Sequence, residues 1–261
     1  MTLNTIIFSS PLHIIILISF TVGLISNSYY LNTKIKIFNE SIWNTLSFFA
    51  LILILISIYI NIIFSFKNNL HYTIYFLVFL LSAFSVFSFL FIICTEKNKL
   101  KIIAKNFFAL KKKEYLIIYL ILLLFFFICL SPVTDADSLD YHLGAPLEWF
   151  RNKNFFPRFD WLHYRLTGLG ENISLFGLFL GLENLSQIVQ FSGLIIILII
   201  SKEYFQKEKL FLFYLAVLSS PVLLFLVSTQ KFLLFPTALI FMSFLLLFED
   251  EKHNFTKLII S

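Results

Sequence analysis

Apolar residues run along this chain without alternation, in stretches that approach the roughly 20 residues a helix needs to cross about 30 Å of hydrocarbon. Seven such runs stand out: Ile6 to Ile25, Thr45 to Phe66, Tyr72 to Cys94, Tyr115 to Ser131, Leu185 to Ile200, Leu210 to Ser228 and Phe232 to Phe248. Lipid offers no partner for backbone N–H and C=O groups, so only helices or closed barrels span it, and the lack of a period-two pattern selects helices. The expected fold class is all-α, a polytopic transmembrane helix bundle of about seven spans with interfacial helices in one outward loop. A further apolar stretch, Ile173 to Leu182, is about half a span long and closes at Glu183, which places it as a short helix lying at the outer interface.

Composition and charge sharpen this picture. Of 261 residues, 59% are hydrophobic and 13% charged, against about 25% charged in a soluble domain, which excludes a soluble fold. Phe occurs 35 times and Gly 7 times, leaving few small residues for close helix approach. This reads as compositional bias rather than as a functional signal. The net charge of +5 is not a nucleic-acid footprint, because most Lys lie in short loops between apolar runs. No nucleic-acid partner is expected.

Orientation follows from Lys and Arg, which accumulate on the cytoplasmic side. Seven Lys lie between Lys97 and Lys113, and Lys34, Lys36, Lys202, Lys207, Lys209, Lys252 and Lys257 fall on the same side by parity. The other side holds Lys67, Arg151, Lys153, Arg158, Arg165 and Lys231, so the split is 14 against 6 and the loop after Ser131 faces outward. Were Ile173 to Leu182 to cross, Lys202, Lys207 and Lys209 would lie outside, which the charge rule disfavours. Cys94 and Cys129 sit within spans near opposite faces, outside any redox or metal motif, and no disulfide between them is expected. The first run has no basic start and no cleavage site behind it, so it reads as a retained span. Leu258, Ile259 and Ile260 after Lys257 look like the opening of another span, and the chain is expected to be an N-terminal fragment. Its expected division is 1–114, three spans and a basic cytoplasmic loop, and 115–261, a membrane core carrying an outward loop over 131–184.

The outward loop concentrates the chemistry. Asp135, Asp137 and Asp140 lie within six residues where the fourth run meets water, followed by Tyr141 and His142. Crowded carboxylates raise one another's pKa and bring a general base within reach, while Asp137, Asp140 and Tyr141 share a face if the stretch is helical. The competing reading is that these acids cap a helix beginning after Thr134. Behind them charges alternate with aromatics through Glu148, Trp149, Arg151, Arg158, Asp160, Trp161, His163, Tyr164 and Arg165. Trp and Tyr singly are interface anchors, but with Arg158 and Arg165 they can frame a lipid phosphate, and Lys231 lies on the same side by topology. His142 and His163 with Asp135 and Asp137 are the one candidate set for a divalent cation, yet their spacing matches no metal motif. No metal or cofactor is expected. Glu171 either hydrogen-bonds a sugar or caps the helix that follows it, and His13, His71 and His253 are explained by interface placement.

The pattern Asp137-Ser138-Leu139-Asp140-Tyr141 resembles the first external loop of GT-C-type glycosyltransferases, which often carry Asp-Glu-x-x-Tyr there. The wider stretch from Pro132 to Trp149 is similar to envelope-polysaccharide members with Asp-x-Leu-x-Tyr-His-Leu. It covers Ser131 to Ser201; Ser138 replaces a second acid, the Pro common near Glu171 is missing, and three spans precede the one that is first in that family. The resemblance implies transfer of a sugar from a polyprenyl-phosphate carrier to an envelope glycan or lipid acceptor, at the outer face of a bacterial inner membrane. It makes Asp137 the general base with Asp135 and Asp140 as second choices, and Arg158, Arg165 and Lys231 the cations that meet the leaving phosphate. Tyr141, His142, His163 and Glu171 complete the substrate-binding candidates. Three other classes stay open: a polysaccharide polymerase or ligase, a transporter or channel, and a non-catalytic membrane partner. The first usually places its large loop late and relies on Arg pairs. The second calls for polar groups at mid-span, and mid-span charges are absent from the sequence.

The charge asymmetry is directly testable in a chain with Cys94 and Cys129 replaced by Ser. A cysteine at Lys153 is expected to react with a membrane-impermeant maleimide on intact cells, and one at Lys105 only after the bilayer is opened. The reverse pattern inverts the topology.

Overall fold

The computed structural model describes residues 11–34, 41–65, 70–95, 113–152, 155 and 167–248, and among them there are helices and connecting turns but no strand. The helices are α1 Pro11–Lys34, α2 Ser41–Ser65, α3 Leu70–Thr95, α4 Lys113–Cys129, α5 Gly144–Asn152, α6 Leu169–Leu180, α7 Leu185–Tyr204, α8 Lys207–Leu218, α9 Pro221–Ser228 and α10 Leu234–Phe248, with a π-helical turn over Ser138–His142 before α5. Each of the seven apolar runs is helical over most of its described residues. The chain is an all-α helical membrane bundle: α1, α2, α3 and α7 each hold a stretch long and apolar enough to cross, and α8 with α9 makes a fifth if the bent pair is one span. Outward-turned Phe79, Leu212 and Ile240 are 66%, 65% and 70% exposed, which suits lipid rather than water as their neighbour.

The differences from the expected runs have physical causes. Helix α1 continues nine residues past Ile25, through Ser26, Asn27, Ser28 and Asn32, all buried. Asn27 donates to Ser85 Oγ at 3.0 Å and accepts from Ser88 Oγ at 2.6 Å, both on α3, so partners across the helix pair keep a polar stretch inside. The run from Leu210 to Ser228 breaks into α8 and α9, which meet at 60°. Pro221 has no N–H and crowds the residue before it, which stops a continuous helix there. Helices α4 and α10 are 17 and 15 residues long, short of a full untilted crossing.

Helix α6 departs most from expectation. It starts at Leu169, before Ile173, and instead of lying open on an interface it is enclosed by protein: Glu171, Asn172, Ile173, Ser174, Leu175, Phe176 and Gly177 are all buried. It packs against α2, α5 and α7.

Helix α7 is the centre of the bundle, touching α4, α6, α8, α9 and α10. Some 67% of its apolar window is buried, against 6% for α3, so α3 lies at the periphery. One stripe of α7, at three-residue intervals, binds the ends of its neighbours. Asn184 Nδ2 donates to the carbonyls of Cys129 and Ser131 beyond α4, at 3.2 and 2.9 Å. Gln187 Nε2 donates to the Ser228 carbonyl at the end of α9, at 2.6 Å, and Gln190 Oε1 accepts from the Phe235 N–H in the first turn of α10, at 3.1 Å. Gly193 completes the stripe, because a Cβ there would lie 2.7 Å from the Phe235 backbone.

Gly193→Ala is therefore expected to force α7 and α10 apart and to destabilise by roughly 1–3 kcal/mol, read as a lower unfolding temperature in detergent. Gly168→Ala, whose Cβ would meet only Glu171 Oε2 at 3.7 Å, serves as the neutral comparison. Equal unfolding temperatures for the two variants would contradict the seam.

Candidate functional site

The site begins where α4 ends. Asp135 accepts the Ser138 N–H on Oδ1 at 2.9 Å and the Leu139 N–H on its carbonyl at 3.1 Å, so it caps the turn that follows. Its Oδ2 is buried without a hydrogen-bond partner. The capping alternative describes this acid. Ser138 is fully buried, and its Oγ accepts the Gln230 N–H at 3.0 Å. That bond helps tie the segment between α9 and α10 to the loop after α4.

The tie brings Lys231 onto Asp137, Nζ to Oδ2 at 2.6 Å, across 94 residues of sequence. Lys231 Nζ also lies 5.2 Å from the Phe225 ring centre, a cation–π contact. The Asp137 side chain is 60% exposed and that of Lys231 19%. An ion pair so wet contributes only about 0–1 kcal/mol, so it orients Lys231 without locking it. The hydrogen bond and charge of Asp137 hold the Lys231 amine above its usual pKa, with Asp135 and Tyr141 adding to the effect against some burial, and it stays a cation.

The π-helical turn, closed by Leu143 N–H on the Ser138 carbonyl at 2.7 Å, presents Tyr141 and His142 together, their ring centres 4.0 Å apart. Burial, then the charge of Asp137, raises the Tyr141 phenol above its usual value, with Glu171 and Asp140 in the same direction and Lys231 opposing. The phenol thus remains a hydrogen-bond donor at neutral pH. His142 Nδ1 lies 2.6 Å from Glu171 Oε1, and Glu171 Oε2 accepts the Gly168 N–H at 2.6 Å. Glu171 is the third residue of α6 and closes its first turn from inside, while also holding the imidazole. With side-chain exposures of 12% and 7%, this pair is far drier than the Asp137–Lys231 contact.

These groups head a cavity of about 540 Å³, within the size of small-molecule sites. Tyr141, His142, Gly168, Glu171 and Lys231 form its polar end. The rest of the lining is mainly apolar, with Leu53 and Ile54 from α2 and Phe235, Pro236 and Leu239 from α10. Ser57 pins the α2 wall: its Oγ donates to the Leu169 carbonyl at 3.0 Å, and its own carbonyl accepts from Asn172 Nδ2 at 3.3 Å.

Asp137, Tyr141, His142, Glu171 and Lys231 are thus brought to one place, while Asp140 stays beside Tyr141, and none of Asp135, Asp137 and Asp140 is among the residues that line the cavity. Arg158, His163 and Arg165 lie outside the described residues. Among the described residues no group of three or more His, Cys, Asp or Glu is placed to hold a metal ion. The α2 wall was missed in the sequence reading, where Ser57 is one hydroxyl in an apolar run and nothing local marks its partner on α6.

No curated protein and no solved structure matches the chain. The family model described as the DUF1420 N-terminal domain matches residues 83–259, which takes in the second half of α3, α4 to α10 and the loop after α4. Helices α1 and α2, and with them one wall of the cavity, precede the matched segment. With most of its length matched, the chain belongs to the DUF1420 N-terminal domain family.

Proposed function

We propose that this chain is the donor-binding part of a membrane glycosyltransferase that moves a sugar from a polyprenyl-phosphate carrier to an envelope glycan or lipid acceptor. The observation that carries the reading is the shape and chemistry of the cavity. Its lining joins polar groups, the Lys231 cation and the Tyr141 phenol among them, to an apolar wall that includes Leu53, Ile54, Pro236 and Leu239. A phosphate ester on a long apolar chain has the same division: the head meets the cation and the phenol donor, and the chain lies between α2 and α10.

In this reading the acceptor hydroxyl attacks the anomeric carbon, the bond from that carbon to the phosphate oxygen breaks, and the lipid phosphate leaves with the electron pair. Asp137, at the wet rim, takes the proton, and Lys231 turns from Asp137 toward the phosphate as charge develops there. The weak, exposed Asp137–Lys231 pair suits such an exchange. The charge asymmetry of the loops supports an outward-facing site, and a bacterial inner membrane is the setting that the loop's resemblance implies. A transporter would need polar groups free to pass a solute along the spans. The buried amides Asn184 and Gln187 instead donate to backbone carbonyls.

Binding is tested with the full chain in nanodiscs, comparing a fluorescent polyprenyl phosphate with the matching polyprenol. Lys231→Ala is expected to weaken the phosphate about tenfold, near 1.4 kcal/mol, and to leave the polyprenol unchanged. Equal loss of both ligands would refute a phosphate role. Asp137→Asn is expected to lower sugar transfer by roughly 10²–10⁴, and unchanged transfer removes Asp137 as the base.

A further inference from the structure

The His142–Glu171 pair is left unused by this reaction, although it is the driest ionisable contact in the cavity head. Both oxygens of a nearly buried carboxylate are committed, one to the Gly168 N–H and one to His142 Nδ1. A carboxylate only accepts, so the bond places the imidazole proton on Nδ1 and leaves Nε2, in neutral His142, as a lone-pair acceptor. The ring lines the cavity beside Tyr141, close to where Lys231 would hold the phosphate.

We propose that His142, oriented by Glu171, is the sugar-recognition residue of this site: its Nε2 accepts a hydrogen bond from a hydroxyl of the donor sugar. The inference rests on the transferase reading and adds the class of sugar. In this assignment the head presents the Glu171 carboxylate and the acceptor nitrogen of the ring it holds. It therefore takes a neutral or amino sugar with a hydroxyl to donate, and rejects a uronic acid, whose carboxylate would face Glu171 and find no proton on Nε2. His142 touches the sugar, whereas Glu171 is a positioning residue that acts through the imidazole.

The test uses the full chain in nanodiscs and has two readouts. The first is the ¹⁵N spectrum of labelled histidine at neutral pH, assigned with His142→Gln. The protonated nitrogen of His142 is expected to be Nδ1 in the wild type. In Glu171→Gln the single amide oxygen is drawn to the Gly168 N–H, and the resonance moves toward the Nε2–H form. The second readout is release of polyprenyl phosphate from tritiated donors bearing a neutral hexose, an amino sugar or a uronic acid. Glu171→Gln and His142→Ala should raise KM about tenfold for the neutral donor with kcat within a factor of two, and His142→Gln, with an amide near the Nε2 position, should recover part of the loss.

A wild-type His142 protonated on Nε2, or on both nitrogens, overturns the inference while leaving the transferase reading intact. So does a fall in kcat at unchanged KM, which would make His142 a proton-transfer group, and so does equal use of the uronic acid donor. A wild-type chain that shows the Nδ1–H form but releases polyprenyl phosphate from no donor overturns the transferase reading and this inference with it.

Discussion

Backbone that leaves a helix inside an apolar bundle must find its hydrogen bonds within the protein, because lipid supplies none. This constraint organises the molecule around α7. The chain breaks after α4, between α8 and α9, and between α9 and α10, and these breaks expose N–H and C=O groups among packed spans. Asn184, Gln187 and Gln190 answer three of those ends from one winding row at the start of a single helix, and Gly193 lets α10 come in close enough for the last of them. Hydrogen bonds of this kind contribute about 1 kcal/mol each when made and cost about 1–3 kcal/mol when a buried group is left without one. Penalty more than gain makes the arrangement specific.

The candidate site inherits its geometry from that frame. Gln230, whose Nε2 donates to the Glu183 carbonyl at 2.9 Å and whose N–H donates to Ser138, fixes the segment after α9 against the loop after α4 and the turn before α7. Lys231 follows Gln230 and Asp137 precedes Ser138, so the ion pair is a by-product of the buried Gln230–Ser138 hydrogen bond one residue away. Because that bond is dry and the ion pair is wet, the position of Lys231 is set by its neighbours, while its choice of partner is left to the head of the cavity.

Much of this was legible in the amino-acid sequence. Unbroken apolar runs gave the helices, and the acidic stretch with its Tyr and His gave the polar end of the cavity. Topological parity put Lys231 on the right side, though not within reach of Asp137. What stayed hidden has a common cause. The extension of α1 past Ile25 depends on Ser85 and Ser88 in another span, and the enclosure of α6 depends on Ser57. Each is a polar residue whose meaning lies in a partner far along the chain. The Asn184, Gln187, Gln190 series was visible as a periodic pattern in a span, but mid-span charge was the feature weighed, and neutral amides carry none.

The placement of α2 gives the cavity a divided origin. Its polar head is drawn from within the matched family segment, whereas Leu53, Ile54 and Ser57 come from before it. Natural variation in these two parts is then free to proceed separately. A change in α2 reshapes one wall of the cavity, while the polar residues at its head stay as they were. A relative with another helix in that place would keep those polar groups and set a different apolar wall against them.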